Sequence, residues 1–331
     1  MTDSGTRGER EPVRLGGKKV LVTGGTGFLG GYVLRELDAA GAATVGVGRL
    51  SYDLLDVDAT NAMLDDHRPD AVVHLAATVG GIGANQREPG RFVYENALMG
   101  LQLLEACRLH GTEKVLVVGT VCSYPGTAPV PLQEDDLWAG YPEETNAPYG
   151  LAKRLLLVQA QAYRQQYGMN AIFLLPANLY GPGDNVDLDT GHVIPSMIRR
   201  FSEARQTGDR TVALWGDGSP TREFLYVADA ARACRLALEA YDGGEPVNVG
   251  TGREISISEL AGVVADAVGY TGSISWDTGR PNGQLRRRLE ISRAREFFGF
   301  EATMAFEAGV AETVRWFERQ GGSLTRPAPL G

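Results

Sequence analysis

The chain has 331 residues, of which 43% are hydrophobic and 22% are charged, and its formal net charge at pH 7 is −9. The length predicts roughly two domains with a sizeable core, and the composition excludes a wholly disordered chain. The acidic balance gives no support for general binding to nucleic acid or to a membrane surface, and no apolar run approaches the roughly 18 to 20 residues of a membrane helix. A local basic pocket for a phosphate is still compatible with this charge.

The N-terminal residues 1–17 are polar and contain no hydrophobic segment, so we interpret them as a disordered tail and not as a secretory signal. The three cysteines (Cys107, Cys122 and Cys234) lack the spacing of a disulfide framework, which favours free thiols and a cytoplasmic location. The four histidines and three cysteines lie too far apart in sequence to predict a metal site.

From Lys18 onward, strand-like apolar runs alternate with segments of helical spacing. The strand-like runs are KVLVTG, ATVGVG, AVVHLAA, KVLVVG and MNAIFLLP. Two helical segments, GFLGGYVLRELDAAG and FVYENALMGLQLLEACRLHG, each end in glycine, which is typical of a helix C-terminus. The alternation predicts an α/β fold, namely a Rossmann-type, doubly wound parallel sheet with helices on both faces.

After Asn178 the alternation becomes less regular, and the loop YGPGDNVDLDTG is rich in glycine, aspartate and asparagine. We therefore predict a smaller C-terminal α/β domain that binds the substrate. The later segments REFLYVADAARACRLALEA and PVNVGTG are interpreted as a helix and a strand that return to the first domain. The predicted division assigns 18–178 and 224–250 to the cofactor domain, and 179–223 and 251–331 to the substrate domain.

A glycine-rich segment, VTGGTGFLG, lies between the first predicted strand and the first predicted helix. Glycines here permit a tight turn and let the backbone approach a pyrophosphate at the helix N-terminus. The G-x-x-G-x-x-G spacing is one residue wider than the G-x-G-x-x-G fingerprint, but its place in the first βαβ unit favours a dinucleotide site over a structural turn. The loop residues predicted to contact the cofactor are Gly24, Gly25, Thr26, Gly27, Phe28, Leu29 and Gly30.

The end of the second strand, VGVGRLSYD, bears on the choice between NAD and NADP. An NAD site usually has an acid here that binds the ribose 2′-hydroxyl. This chain has Arg49, nineteen positions after Gly30, and a cation suits a 2′-phosphate and hence NADP(H). The alternative is a solvated loop arginine. Asp56 follows shortly afterwards, either to contact the adenine or to cap the next helix.

The segment TNAPYGLAK contains a tyrosine and a lysine four residues apart, Tyr149 and Lys153, just after Pro148, which suits the first turn of a helix. Such residues lie one turn apart on the same helical face. An ammonium near the phenol favours the phenolate, so we expect Lys153 to lower the pKa of Tyr149. A tyrosine of this kind transfers a proton to or from a sugar oxygen while a hydride moves at the carbon.

The glycine loop, the hydroxyl of Thr120 after the fourth strand and the Y-x-x-x-K pair together resemble the extended short-chain dehydrogenase/reductase family, from Lys18 to about Phe317. Further segments resemble the branch of that family that epimerises and reduces GDP-4-keto-6-deoxy-mannose to GDP-L-fucose. They are TVGGIGAN, YENALMG, VCSYP, PANLYGPGDN, GHVIPSMIRRF and WGDGSPTREFLYVAD.

The resemblance implies five catalytic residues. Thr120 stands where the family usually has a serine that orients the carbonyl and the tyrosine. Tyr149 and Lys153 match the family pair, while Cys122 and His192 stand at the cysteine and histidine with which the branch epimerises its substrate. We expect NADP(H) as cofactor, a nucleotide sugar as substrate, and a homodimer formed through the helices at Phe92–His110 and Tyr149–Tyr167.

The resemblance also implies contacts to both ligands. Those to the nucleotide sugar are Asn178, His192, Arg200, Trp215, Arg222 and Arg287. Those to the cofactor outside the glycine loop are Arg49, Asp56, Leu75, Ala76, Ala77, Lys153, Pro176, Asn178 and Leu179. The chain departs from the branch at Thr26 and Ser273, where the branch has arginines near the NADP phosphate and the nucleotide, and at Arg287, where it more usually has lysine.

The protons on C3 and C5 of a 4-keto sugar are acidic because the carbonyl stabilises the enolate. Epimerisation needs a base on one face and an acid on the other, which a cysteine and a histidine can supply. The alternatives are that Cys122 is an inert packing residue and that His192 only caps a helix. Other functions left open are a related enzyme for another nucleotide sugar and a non-catalytic dinucleotide sensor, which would not need both Tyr149 and Lys153.

Overall fold

The computed structural model of the protein describes residues 15–188, 190–279 and 284–321. Its largest sheet has six parallel strands, which are β1 (Lys19–Thr23), β2 (Ala43–Val47), β3 (Ala71–His74), β4 (Lys114–Val118), β5 (Ala171–Pro176) and β9 (Pro246–Val249). Their spatial order is β2-β1-β3-β4-β5-β9. The chain order reverses on the two sides of β1, and ligands of such sheets bind at the carboxyl ends of the strands near this point.

Two groups of helices cover the sheet. The chain continues from β1 to the strands on both of its sides. Because such connections are right-handed, the helices of the two directions lie on opposite faces of the sheet. The helices accordingly pack as two sets. One set is α1 (Phe28–Ala39), α7 (Val227–Ala240) and α9 (Ser292–Phe298), and the other is α2 (Val57–His67), α4 (Pro89–Leu109) and α5 (Ala147–Tyr167), with the short α3 (Ile82–Arg87) before α4. The predicted Rossmann-type, doubly wound parallel sheet is confirmed.

A second, smaller unit contains two small sheets and three helices. Its strands are β6 (Asn178–Tyr180), β7 (Thr211–Trp215), β8 (Thr221–Tyr226), β10 (Glu254–Ser256), β11 (Ser273–Asp277) and β12 (Arg286–Arg287), and its helices are α6 (Val193–Thr207), α8 (Ile257–Val268) and α10 (Phe306–Arg319). Strand β8 pairs with β6, β10 and β12, and β7 pairs with β11. Buried side chains such as Phe201, Leu260 and Phe317 form a core separate from that of the large sheet.

Three boundaries differ from the sequence prediction. The segment predicted as one helix from Arg222 is strand β8 followed by α7, because it begins with a largely buried run that contains the β-formers Phe224 and Tyr226. The disordered tail was predicted to cover residues 1–17. Positions 1–14 lie outside the described residues, but Leu15 is buried in the main core. The stretch 289–300 also packs into that core, through Leu289 and Phe298 among others, although it was assigned to the second domain. The rest of the domain division stays a prediction.

Among the described residues, no helix is both long enough and apolar enough to cross a bilayer. The structure also contains, in the same ranges, no cluster of three or more histidine, cysteine, aspartate or glutamate side chains placed to hold a metal ion.

Candidate active site

The glycine loop follows β1 and brings three backbone segments together. At Gly24, φ is +70°, and an added Cβ would lie 2.9 Å from the backbone nitrogen of Ala76. At Gly30, an added Cβ would lie 2.2 Å from the carbonyl oxygen of Gly24. Because backbone atoms cannot move aside as the end of a side chain can, both positions require glycine. The loop therefore fixes the start of α1 tightly against the end of β1.

The N-terminus of α1 fits a bound pyrophosphate. Gly27 precedes the helix and supplies no side-chain cap. The first-turn N–H groups and the positive end of the helix dipole are therefore left for an anion. The glycines that hold this turn also leave no side chain between the backbone and such a ligand.

One cavity of about 870 Å³ extends from the glycine loop to the second unit. Most of the predicted site residues line it, namely Gly24, Thr26, Gly27, Phe28, Leu29, Gly30, Arg49, Leu75, Ala76, Ala77, Thr120, Cys122, Tyr149, Pro176, Asn178, Leu179, His192, Arg200, Trp215, Arg222 and Arg287. Gly25, Asp56 and Lys153 lie outside the lining. The tertiary structure thus brings residues that are up to 263 positions apart into one space.

The end of β2 carries both a cation and an acid. The Arg49 side chain is 62% exposed, and its Nε donates to a carboxylate oxygen of Asp53 at 3.2 Å. Asp53 lies four residues after Arg49, also lines the cavity and was not predicted from the sequence as a partner of the arginine. Asp56 accepts hydrogen bonds from the backbone nitrogens of Asp58 and Ala59 and caps α2, so the structure supports the capping alternative and not a contact to the adenine.

Lys153 lies one turn after Tyr149 on α5 but points its charge into the protein. Its side chain is buried, and Nζ donates to the carbonyl oxygen of Val118 at 3.0 Å. Burial lowers the pKa of Lys153 to about 8. The ammonium is thus held at the end of β4, behind the cavity wall.

Burial raises the pKa of Tyr149, and the charge of Cys122 raises it further, while a hydrogen bond with Thr120 lowers it. The expected lowering of the Tyr149 pKa by Lys153 is not found in this structure, and the largest effect on the phenol is its desolvation. The phenol is therefore protonated at neutral pH, which is the form that donates a proton.

Cys122 lies in a short 3-10 turn after β4. The hydroxyl of Thr120 caps this turn by accepting from the Cys122 backbone nitrogen at 3.2 Å. The side chain is partly exposed in the cavity, and Nη1 of Arg287 lies 3.6 Å from Sγ. The other two cysteines are buried, which raises the pKa of each to about 12. Cys122 is thus the cysteine in contact with both a cation and the cavity.

His192 occupies the N-cap position of α6, but its side chain makes no capping hydrogen bond. Its Nδ1 lies 3.1 Å from a carboxylate oxygen of Asp184, which is buried. The charge of Asp184 raises the pKa of His192. With 47% of its side chain exposed, the imidazole is oriented by Asp184 and accessible from the cavity.

Two arginines concentrate positive charge beside Cys122. Arg222 and Arg287 are paired across β8 and β12. Nε and Nη2 of Arg287 donate to Oε1 of Gln284 at 3.1 and 2.8 Å. Burial lowers the pKa of Arg222 to about 10, and the charge of Arg287 adds to that lowering, while Cys122 and Glu143 oppose it. This end of the cavity suits an anionic ligand.

The other predicted substrate residues lie around the same end. Arg200 is on α6, and Trp215 ends β7 with its large ring exposed. Asn178 begins β6 and donates to the backbone carbonyl of Glu223 at 3.0 Å. A flat aromatic surface beside cations suits a nucleotide base attached to a phosphate.

Several polar residues of this site were not predicted from the sequence, among them Asp53, Glu143, Asp184 and Gln284. Asp184 had a signal, since it is the acid of the quoted GPGDN loop, eight residues before His192. Glu143, in YPEETN, is an acid shortly before the Y-x-x-x-K pair. Spacing alone does not reveal which of several loop acids turns towards a cavity.

The fold and the site are typical of enzymes that use a dinucleotide cofactor, and a comparison with known proteins agrees. Residues 20–250 match the model of the NAD dependent epimerase/dehydratase family, and the chain belongs to this family. The chain is 38% identical to a GDP-L-fucose synthase of Sinorhizobium fredii (92% of this chain, 96% of the relative) and 36% identical to that of Escherichia coli (91% and 96%). A GDP-L-fucose synthetase from Naegleria fowleri, crystallised with NADP, superposes with a TM-score of 0.85 at 30% identity (94% and 97%). The resemblance inferred from the sequence is confirmed.

Proposed function

We propose that this protein converts GDP-4-keto-6-deoxy-mannose to GDP-L-fucose, by epimerising C3 and C5 and then reducing C4 with NADPH. The observation that carries the proposal is that Thr120, Cys122, Tyr149 and His192 all line the cavity that begins at the glycine loop. The relatives named GDP-L-fucose synthase, which match over nine tenths of the chain, support the same substrate.

NADP(H) fits the residues at the cofactor end. The uncapped N-terminus of α1 and the glycine loop would hold the pyrophosphate, and Arg49 would bind the 2′-phosphate in place of Asp53. Leu75, Ala76, Pro176 and their neighbours at the ends of β3 and β5 line the cavity that the cofactor would occupy. When bound, NADPH supplies the hydride for C4.

Cys122 and His192 carry out the epimerisation. One of the two removes the proton from C3 or C5, which leaves an enolate, and the other returns a proton to the opposite face of the same carbon. Asp184 keeps the imidazole oriented and favours its protonated form, so we assign His192 as the acid and Cys122 as the base. The contact from Arg287 to Sγ orients the thiol.

Tyr149 carries out the proton transfer of the reduction. Its protonated phenol donates to the C4 oxygen as the carbonyl becomes an alcohol. Thr120 orients both the phenol and the substrate carbonyl. Arg222 and Arg287 bind the diphosphate of the nucleotide sugar, and Arg200 and Trp215 bind its nucleoside end.

The proposal is tested with purified protein, NADPH and GDP-4-keto-6-deoxy-mannose. We expect oxidation of NADPH and a single product identical to GDP-L-fucose by NMR. A reduced product that keeps the configuration of the starting sugar at C3 and C5 would identify a reductase without epimerase activity. Consumption of other 4-keto nucleotide sugars in preference to the GDP sugar would favour the alternative of a related enzyme for another substrate.

We also infer a homodimer formed through α4 and α5. These helices pack side by side and leave apolar side chains exposed, which are Val93, Tyr94, Leu109, Leu155, Val158 and Tyr167. A second copy would cover this surface. Sedimentation of wild type and of Leu155→Glu/Val158→Glu tests the inference, and a monomeric wild type would contradict it.

We infer that the protein works in a reducing compartment, as the cytoplasm is. All three cysteines are free thiols in the described residues, and Cys122 is needed as a thiol. Loss of activity in an oxidant and recovery with dithiothreitol would agree with this inference.

A further inference from the structure

The backbone beside Cys122 is held by α5, the helix that also carries Tyr149. Ser123, the next residue, is fully buried, and α5 uses both of its oxygen atoms. Its hydroxyl donates to the Gly150 carbonyl oxygen at 3.1 Å, and its own carbonyl oxygen accepts from Nε of Arg154 at 2.6 Å. The turn that carries Cys122 is therefore attached to α5 at two points.

A third contact is direct backbone packing at Gly150. An added Cβ there would lie 2.3 Å from the Cys122 carbonyl oxygen and 3.0 Å from its carbonyl carbon. Glycine thus lets α5 lie against the Cys122 peptide. The separation between Cys122 and Tyr149 is fixed through short backbone contacts, and the longest side chain in this connection is that of Arg154.

Arg154 is an unusual residue for its place. It is 8% exposed, and it donates to two backbone carbonyls, those of Ser123 and, at 3.0 Å, Gly140. Its Nη2 is buried without a hydrogen-bond partner among the described residues, and burial lowers its pKa. A buried cation that is incompletely satisfied stabilises a fold poorly. What it does provide is a fixed direction for the Ser123 carbonyl.

We propose that Arg154 is a positioning residue for epimerisation, which acts through the Ser123 carbonyl to hold Cys122 at the correct distance from the sugar carbons. The reduction depends on it less, because Tyr149 and Lys153 are placed by α5 itself. The inference rests on the proposed function. Since a misplacement of about 1 Å can lower a rate by about a hundred-fold, Arg154→Lys, with a shorter reach and a single donor group, is expected to affect the two half-reactions unequally.

Each half-reaction has its own assay. Epimerisation is measured in D2O without cofactor, as deuterium entering C3 and C5 of GDP-4-keto-6-deoxy-mannose. Hydride transfer is measured in reverse, as oxidation of GDP-L-fucose by NADP+, in which the C4 hydride passes to NADP+ and the hydroxyl proton to the phenolate form of Tyr149, while no C–H bond at C3 or C5 breaks. Tm and the Kd for NADPH are recorded for every variant.

The matched control is Arg164→Lys. Arg164 lies ten residues later on α5 and also binds a backbone carbonyl, that of Ala171 at 3.1 Å, but it does not contact the Cys122 turn. We expect Arg154→Lys to lose about ten- to a hundred-fold in deuterium exchange, with reverse oxidation and Kd within about three-fold of wild type, whereas Arg164→Lys keeps both rates.

Exchange by Arg154→Lys within two-fold of wild type, or an equal fall in both assays, would overturn the proposal. If Arg154→Lys does not fold, Arg154→Gln, which removes the buried charge, takes its place and must show the same unequal loss. If the wild-type protein oxidises GDP-L-fucose but exchanges no deuterium, the proposed epimerase activity itself is wrong. This result is distinct from one in which the wild type exchanges deuterium and Arg154→Lys does so equally well, which would reject only the role of Arg154.

Discussion

Lys153 follows Tyr149 by one helical turn, yet its ammonium donates to the carbonyl oxygen of Val118 and does not lower the pKa of the phenol. Tyr149 is protonated at neutral pH as a result, while burial brings the pKa of Lys153 down to about 8. The two residues therefore have separable roles, since the phenol holds the proton for C4 and the lysine holds a buried charge behind it.

Tyr149→Phe should reduce the rate of C4 reduction by about two to four orders of magnitude, because it removes the proton donor and keeps the ring. The measurement is single-turnover oxidation of NADPH with the 4-keto substrate. Deuterium exchange at C3 and C5 serves as the internal control and should persist. Reduction at close to the wild-type rate would show that another group donates the proton.

Lys153→Met should stabilise the protein, because it removes a buried charge. The folded-state pKa of about 8 lies below the ordinary 10.5, so the folded protein binds this proton less tightly than the unfolded chain does. We expect the free energy of unfolding at pH 7 to rise by about 1 to 3 kcal/mol, after allowing for the lost hydrogen bond.

The pH dependence checks the sign. Burial of protonated Lys153 lowers the free energy of unfolding by its full amount below pH 8, and by less as the pH rises from 8 towards 10.5. The difference in unfolding free energy between the variant and the wild type should therefore shrink over that range. Urea unfolding at pH 7 and pH 10 measures it. A difference that is the same at both pH values would assign the stability change to packing and not to the charge.

Cys122→Ser should lose most of the deuterium exchange at C3 and C5, because a hydroxyl forms far less anion than a thiol near neutral pH. NADPH binding should be unchanged, since the glycine loop is untouched. Cys107→Ser is the matched control, because that cysteine is buried away from the cavity. Exchange of both protons by Cys122→Ser at the wild-type rate would make the thiol a packing residue.

Asp184→Asn should lower the pKa of His192, since the carboxylate charge is the main cause that raises it. A histidine with a raised folded-state pKa contributes stability that is present below its unfolded pKa and is lost as the pH rises through the folded value. The variant should therefore be destabilised more at pH 5.5 than at pH 9. In the pH profile of its deuterium exchange, the inflection caused by titration of His192 should move to lower pH. Thermal unfolding and exchange measured over pH 5 to 9 give both results, and unchanged profiles would exclude this coupling.

Arg49 and Asp53 should have opposite effects on cofactor choice. Arg49→Ala should lower the preference for NADPH over NADH in kcat/KM by about ten- to a hundred-fold, which corresponds to the loss of a charge-assisted hydrogen bond of about 1.5 to 3 kcal/mol. Asp53→Asn should raise the same preference, because it frees the guanidinium from its ion pair. A wild type that prefers NADH would show that the acid, and not Arg49, decides the selectivity.

Much of this protein was determined by local sequence. Short apolar runs, some of which end in glycine, predicted the strands of the large sheet, the seven residues Gly24–Gly30 predicted the dinucleotide loop, and the four-residue spacing placed Tyr149 and Lys153 on one face of α5. These features depend on backbone sterics and helical periodicity, which a short segment contains in full. The alternation of strands and helices likewise determined the fold class, since it leaves few ways to bury both faces of a sheet.

Only the tertiary structure decided what the side chains do. The helix cap made by Asp56 and the contact from Asp184 to His192 depend on how each loop turns in the fold, and the contact from Arg287 to the thiol of Cys122 joins segments 165 residues apart. The protonation of Tyr149 is the clearest case, because spacing suggested that Lys153 would lower its pKa, whereas burial raises it. Desolvation is a property of the packed interior, and no local pattern of residues encodes how much water the folded chain excludes.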